Sequence, residues 1–578
     1  MTEQNRPGKR PGRGNQRPGR PASGRPGGPR RDDRRGPGGP RRDDRSGPGG
    51  PRRDDRSGPG GPRRDDRSGP GGPRRDDRNG PDRDRPRTYD RRPEPLPDSP
   101  RSLALETFRR LEHSNTAFVF DVLSDVGVDR RLDGRGGRFL RELVYGVLRR
   151  RLTLDCIIAA YAKEPISRVE PDCLAVLRLG LYQLLFMGGV PPFAAISESV
   201  DLLRHRHAGV RAFANGLLRS VEREANLQDA GMDRGGASER KRLPLPSEKV
   251  VFFSRNVFAD PEKSRALHLA QLHSVPPFLV ERWLARHDRA VVESMLVACN
   301  RKPQVSVRAN LLRADREGLI RRLMSENLVA GPGALPESVR FEGSTTEVIG
   351  SAAFKEGLFY VQDEASMKVA RALRPLPEER ILDLCAAPGG KTSHLAELSG
   401  GRAEIVAVDR NESRLALVRE NCERLGLKNV TVIQWDPLKP SDGEAIPEPL
   451  KEPFDAVLLD VPCSNTGVLA RRPEVRWRVT LEAIRDLAEQ GRKLLACAVK
   501  MVKPGGRLLY STCSLEAEEN QDVVTRTLVA NPSLRHIRSE EALPSPGGPD
   551  GGFLALFEVE PFGSTTTPTA SPITGSPT

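Results

Sequence analysis

Two of the eight cysteines stand apart from the rest by position. Cys463 lies in Asp460-Val461-Pro462-Cys463-Ser464-Asn465-Thr466-Gly467, directly after a strand-like FDAVLLD. Cys513 lies in Ser511-Thr512-Cys513-Ser514, after a strand-like RLLY and the turn Lys503-Pro504-Gly505-Gly506. Segments that follow parallel strands open on one crevice, so both thiols are expected in the same cleft. Two thiols in one cleft have a use on a pyrimidine. Carbon 5 is a poor nucleophile until a thiolate adds at carbon 6, which turns the ring into an enamine-like species able to take a methyl group. Loss of the carbon 5 proton and elimination of the thiolate then complete the exchange. One thiol attacks and the second assists release, whereas methylation of an exocyclic amine needs neither. Free cysteine is otherwise a small buried hydrophobe, the reading given to Cys156, Cys173, Cys299, Cys422 and Cys497.

A methyl donor needs its own seat. The run ILDL (Ile381 to Leu384), Cys385-Ala386-Ala387-Pro388-Gly389-Gly390-Lys391-Thr392 and SHLAEL reads as strand, glycine turn and helix, the opening unit of a doubly wound α/β fold. Phosphate-binding readings fail on spacing: a P-loop requires glycine where Cys385 stands, and Gly-x-Gly-x-x-Gly is absent. Asp409, nineteen residues after Gly390 at the end of IVAVD, can accept both ribose hydroxyls of a nucleoside. A nucleoside without phosphates suggests S-adenosylmethionine. Asp436 after VTVIQWD and Asp460 after FDAVLLD continue the series, and carboxylates at successive strand ends suit a cationic sulfonium with an amine and an adenine edge. Each acid alone is equally a helix cap. The aligned series favours a ligand, and Cys385 is expected to matter through its backbone more than its thiol.

The elements that position these residues occupy the second half of a longer chain. Of 578 residues and a net charge of +15, the first hundred carry 28 basic and 16 acidic side chains and supply +12. They hold five copies of an eleven-residue unit with an Arg-Arg-Asp-Asp core and no large apolar residue. Such a segment, residues 1–100, is expected to be disordered, as a solubilising tail or a salt-sensitive RNA tether. From Ser102 the pattern turns helical, with stripes through Phe139, Leu140, Leu143, Val144, Val147, Leu148 and through Leu174, Leu177, Leu181, Leu184, Leu185, which predicts an all-α domain over 101–225. Its polar side ends in Arg149, Arg150 and Arg151. Residues 226–262 read as a linker and 263–365 as a small α+β module. That module's Arg282, Arg286, Arg301, Lys302 and Arg308 are either an RNA path or, more commonly, a solvated face. The catalytic domain spans 366–562, and 563–578 form a second disordered tail. No C-x-x-C pair is present, and His205 and His207 lack metal-ligand company, so neither a disulfide framework nor a metal is expected. The absence of an apolar signal or a span of about 20 apolar residues places the chain in the cytoplasm, off the membrane.

Two resemblances add to this reading. FLRELVYGVLRRRLTLD, LRLGLYQLLFM and FANGLLRSVER resemble the NusB-type fold, an all-α bundle that binds RNA through a basic face. LCAAPGGKT, AVDRNESRL, LLDVPCSNTGVLARRPEVRW, LLYSTCSLEAEEN and FYVQDEAS resemble the RNA cytosine-C5 methyltransferases of the Nol/Nop/Sun group, and the NusB-like domain in front points to its bacterial Sun, or RsmB, type. The resemblance implies a Rossmann-like class I S-adenosylmethionine-dependent domain behind a small α+β RNA-binding module. By it Cys513 is the nucleophile and Cys463 the residue that resolves the adduct. Cys385, Ala386, Ala387, Pro388, Gly389, Gly390 and Lys391 hold the cofactor with Asp409, Asp436 and Asp460, and Lys391 and Asp460 also face the target base. The implied partner is small-subunit ribosomal RNA, naked or in a partly assembled particle, met by a monomer. Transfer RNA as substrate, or a non-catalytic assembly protein, are the alternatives. Asp-Val-Pro-Cys-Ser-Asn departs from the group's commoner Asp-Ala-Pro-Cys pattern without touching the reacting groups.

Overall fold

The computed structural model of the chain describes residues 96–114, 117–229, 238–439 and 446–560; the repeat segment and the C-terminal tail lie outside the described residues.

Seven helices between Pro100 and Glu224 form the first domain. Four of them begin at a start signal readable in the sequence. Ser99 and Ser102 make a reciprocal capping box, Asp133 accepts from the Gly136 N–H, and Pro171 and Pro192 sit at first helical positions where no N–H is needed. The stripe in Gly134–Tyr161 buries Leu140, Leu143, Val144, Val147 and Leu148, and Leu177 and Leu181 of Pro171–Phe186 are fully enclosed at the bundle centre. Residues 226–262 are not a linker. They carry a three-stranded antiparallel sheet of Asn226–Asp229, Lys249–Phe252 and Arg242–Pro244, whose Leu243 and Val251, with Phe253 and Phe258 just beyond it, join the bundle's core. Strands of three or four residues are too short to show a period, and for that reason they read as polar linker.

The next segment has two parts with separate cores. Helices Arg265–His273, Pro277–Arg286 and Arg289–Asn300 come first. A four-stranded antiparallel sheet follows, in the order Ala330–Pro332, Ser338–Phe341, Val305–Ala309, Phe359–Val361.

The catalytic domain is a seven-stranded sheet in the order Val430–Gln434, Glu404–Asp409, Arg380–Asp383, Phe454–Asp460, Val502–Thr512, Gly552–Val559, Leu534–Ala542. The first five strands are parallel, Gly552–Val559 runs antiparallel to them, and the edge strand Leu534–Ala542 pairs antiparallel with it and so regains their direction. Period-two alternation serves two cores at once, as expected for strands buried on both faces. Ile381, Ile405, Ala407, Ala456 and Leu458 face helices Glu364–Leu373, Gly390–Leu398 and Glu412–Leu425. Leu382, Val406, Val408, Val457 and Leu459 face Leu481–Lys500 and Gln521–Ala530. Chain order reverses between Arg380–Asp383 and Phe454–Asp460, which puts the ligand crevice at their carboxyl ends. No helix among the described residues is long and apolar enough to cross a membrane.

Candidate active site

Parallel register sets Asp460 beside Ser511, and the loops that follow bring the two thiols together. The Cys513 N–H donates to Cys463 Sγ at 3.2 Å. Contact with Cys513 and burial hold the Cys463 thiol well above the ordinary range, while the same contact brings Cys513 below it against its own burial. Cys513 is thus the more acidic of the two thiols. Lys391 and Arg472 favour its thiolate further, and Asp460 opposes it. Lys391 Nζ in turn donates to Asp460 Oδ2 at 2.7 Å, and Ser511 Oγ donates to Asp460 Oδ1 at 2.7 Å. Burial pulls the Lys391 ammonium down, but Asp460 and the Cys513 thiolate outweigh it and raise it above the usual lysine range.

Lys391, Asp460 and Cys513 line a cavity of about 240 Å³ with Thr512, Val468 and Phe553, a cavity to which Ala386–Gly390, Asp409 and Asp436 contribute nothing. Those residues form the other side. Gly389 has φ 96°, a left-handed conformation that glycine tolerates, and a β-carbon there would meet Val418 at 3.2 Å. The turn folds back on the sheet through Ala386 N–H to the Val408 carbonyl at 2.9 Å, beside a cis Ala387–Pro388 bond. Asp409 accepts from the Ala387 N–H at 3.3 Å and the Asn411 N–H at 3.0 Å, so it anchors the turn as well as ending its strand. Asp436 caps its own turn through the Leu438 N–H at 3.0 Å. The Cys385 thiol, buried among Asp409, Asp383 and Asp460, is pushed well above its usual range and stays protonated.

Asp383, at the end of the first strand, was overlooked although it obeys the same strand-end rule. It is 1 % exposed, accepts from Thr392 Oγ1 at 2.7 Å, leaves Oδ1 without a partner among the described residues, and is raised to about 7 by burial. Glu519 was overlooked as well. It accepts from the Ser464 N–H at 2.7 Å, Ser464 Oγ at 2.5 Å and the Ser514 hydroxyl, and so ties the residue after each thiol to one carboxylate. Burial raises its carboxyl to about 7 in the fold, above the 4.5 of an exposed glutamate, against the pull of those donors. A raised folded-state value means that the native state binds the extra proton, so stability declines as pH rises from about 4.5 to 7. Glu519→Gln removes that titration. Its unfolding free energy relative to the parent, followed by urea denaturation, should shift in its favour by about 2 kcal/mol between pH 5 and pH 8; a pH-independent difference would mean that Glu519 is ionised throughout.

Of the basic residues expected on a solvated or RNA-facing surface, Arg301 and Lys302 are exposed, whereas Arg282, Arg286 and Arg308 instead brace this site. Arg282 donates to Glu516 at 2.7 Å and to Glu518 at 2.5 Å, Trp283 Nε1 donates to Glu516 at 3.2 Å, and Arg286 donates to the Leu515 carbonyl at 2.5 Å. All four acceptors belong to the segment just after Cys513. On the other loop, the fully buried Arg476 donates to the carbonyls of Arg149, Ser274 and Cys299 and to Asn300 Oδ1. Ser274 and Cys299 lie at the carboxyl ends of two helices, where the aligned peptide dipoles favour a cation that has no carboxylate partner. Leu469 and Val475 from one thiol loop and Leu515 from the other complete the core of helices 265–300. Arg149 donates to the Ala470 carbonyl at 3.1 Å and Arg151 lies over the Trp477 ring, so this basic run faces the catalytic domain. Arg308 is fully buried. It donates to both Glu397 oxygens at 2.7 and 2.9 Å, to the Gly390 carbonyl at 2.7 Å and to Ser393 Oγ at 2.9 Å, which fastens the α+β module to the glycine turn.

Comparison with known proteins gives a consistent picture. The family described as 16S rRNA methyltransferase RsmB/F matches residues 370–546, the NusB family matches 98–223, and the RsmF/B-like ferredoxin-like domain matches 275–346. The chain is 36 % identical over 415 residues to a probable ribosomal RNA small subunit methyltransferase B of Synechocystis, covering 71 % of this chain and 85 % of that protein. It is 32 % identical over 449 residues to the probable enzyme of the same name in Bacillus subtilis, covering 77 % and 92 %. Among solved structures, that of PH0851 superimposes with a TM-score of 0.61 at 24 % identity, over 80 % of this chain and all of that one, a likeness of fold.

Proposed function

Because the chain belongs to the RsmB/F family of 16S rRNA methyltransferases, we propose that it methylates carbon 5 of a cytosine in small-subunit ribosomal RNA through a covalent adduct of Cys513 with carbon 6. S-adenosylmethionine is the cofactor. The residues fit it: the left-handed glycine turn admits a ligand close to the backbone, and four carboxylates, Asp383, Asp409, Asp436 and Asp460, end or follow successive strands, one of them with a buried oxygen still unpartnered. When bound, it supplies an electrophilic methyl group and leaves as a neutral thioether.

The chain's own residues do the rest. Cys513, the thiol held low, forms the sulfur–carbon 6 bond and so loads the ring's electrons onto carbon 5. Lys391 and Asp460, paired across the mouth of the 240 Å³ cavity, orient the base by its polar edge. Once carbon 5 carries the methyl group its proton passes to solvent water, the electron pair of that bond re-forms the ring double bond, and the sulfur–carbon 6 bond breaks to return the thiolate. Cys463 keeps its proton beside the departing sulfur and hands it a hydrogen bond, which assists release. The observation that carries this reading is the convergence of the two thiols, Cys463 Sγ 3.2 Å from the Cys513 N–H, beside the Lys391–Asp460 pair.

Cys463→Ala is expected to stop the cycle after attack. Incubation with RNA and S-adenosylmethionine should then accumulate a slow-migrating protein–RNA species on denaturing gels, and a lane without it would remove the release role. Bisulfite sequencing of cells with and without the gene identifies the substrate. One cytosine losing its mark in small-subunit RNA is the expected result, and a loss confined to transfer RNA would keep the cysteine chemistry and overturn the substrate.

A further inference from the structure

Beside the two thiols stands an aromatic and cation pair that the reaction chemistry leaves unused. Phe118 caps the helix Val119–Asp125 of the bundle and is 36 % exposed. Its backbone is pinned to the catalytic domain: Arg478 donates to the Ala117 carbonyl at 2.5 Å, and the Val119 N–H donates to Glu474 at 3.4 Å. The guanidinium carbon of Arg472 lies 4.6 Å from the centre of the Phe118 ring. Arg472 is exposed and forms no ion pair among the described residues, unlike its neighbour Arg471, which is held by Asp363 and Asp550. Its one hydrogen bond, to Asn465 Oδ1 at 2.7 Å, leads to the thiols, because Asn465 donates to the Cys463 carbonyl at 2.7 Å. Its charge also reaches Cys513.

A single exposed ring is ordinary. A ring backed by a guanidinium that has no ion pair among the described residues, two hydrogen bonds from the backbone of Cys463, is suited to a particular ligand. Drawing a base out of an RNA strand removes a stacking partner from its neighbour. Single-stranded RNA is commonly held by aromatic and guanidinium planes that replace such a partner, with a cation nearby for the phosphate. We propose that Phe118 and Arg472 form a subsite for the nucleotide adjoining the target cytosine, the base stacking on the Phe118–Arg472 pair and its phosphodiester meeting the guanidinium. The subsite rests on the RNA methyltransferase reading above. It gives the helical bundle a direct hand in the substrate, through a ring whose cation partner is hydrogen-bonded to the Cys463 loop.

The test uses the full chain and small-subunit ribosomal RNA from cells lacking the gene. Phe118→Ala and Phe118→Leu should each raise KM for RNA at least about fivefold, with KM for S-adenosylmethionine unchanged, while Phe118→Trp should match the parent. Leucine fills the space without a π-face, so a Phe118→Leu enzyme equal to the parent would reduce Phe118 to a spacer and overturn the subsite. Equilibrium RNA binding against salt separates the two partners. Phe118→Ala should weaken binding at an unchanged slope, and Arg472→Gln should lower the slope by about one; a slope unaltered by Arg472→Gln would likewise overturn the proposal. Should the parent fail to methylate this RNA, the function reading falls, and the binding measurements still decide the subsite.

Discussion

Cys513→Ala is expected to cut methyl transfer by about a thousandfold or more, roughly 4 kcal/mol of transition-state stabilisation, because without the thiolate carbon 5 is never activated. The same substitution should leave S-adenosylmethionine affinity within about a few-fold. Cys513 lines the 240 Å³ cavity with Lys391 and Asp460, while Asp409 and the turn Ala386–Gly390 lie outside it. Single-turnover transfer to unmodified ribosomal RNA, with calorimetry of cofactor binding alongside, separates the two effects. A Cys513→Ala enzyme that turns over normally would remove the covalent mechanism. A parallel loss of cofactor affinity would mean that the thiol loop shapes the crevice.

Arg308→Met is expected to be the most damaging change away from the thiols. The pair Arg308–Glu397 has no solvent access, and deleting the guanidinium strands a carboxyl that burial already drives toward its neutral form. Breaking a buried pair from one side typically costs about 3–5 kcal/mol. It also takes the donors from the Gly390 carbonyl and Ser393, so cofactor binding should weaken together with stability. Replacing both partners tells these losses apart. Arg308→Met with Glu397→Met exchanges the pair for apolar groups and should recover most of the unfolding free energy. The Gly390 carbonyl would still lack its Arg308 donor at 2.7 Å and keep only the longer bond from Ser393 Oγ at 3.2 Å among side chains, so cofactor affinity should not recover. Urea denaturation and calorimetry on the three variants decide it, and a single variant as stable as the parent would show the interior here to be wetter than its geometry indicates.

The reach of the sequence can be traced residue by residue. The strand-end acids Asp409 and Asp460, the glycine turn and the two thiols were legible because each follows a local rule of spacing within one strand–loop unit. Asp383 follows the same rule and was there to be found; it was lost because it sits inside ILDL rather than after it. Arg282, Arg308 and Arg149 were a different problem. An arginine that meets a phosphate and one that meets a carboxylate or a carbonyl elsewhere in the chain carry the same charge and share the same neighbours. Arg308 finds Glu397 across 89 residues, Arg282 finds Glu516 across 234, and Arg149 finds Ala470 across 321. Nothing local marks such pairings. Glu519 is hidden for the same reason, as one of three glutamates in LEAEEN whose burial depends on two loops folding over it.

The seating of the segment Ala470–Arg478 against the first domain also imposes an order on biosynthesis. The bundle's last helix ends at Glu224 and its core is complete by Phe258, so it can assemble once that residue has left the ribosome, with Arg149 and the Leu148 carbonyl still lacking their acceptor and donor. Those partners, Ala470 and Trp477, are translated some 210 residues after Phe258, which at about 5–20 residues per second is a delay on the order of ten seconds to a minute. During that interval the nascent chain holds the helical domain but no thiol loops. Competence for chemistry arrives only when the last quarter of the polypeptide docks back onto the first half, so a truncated translation product of this gene is a bundle without an enzyme.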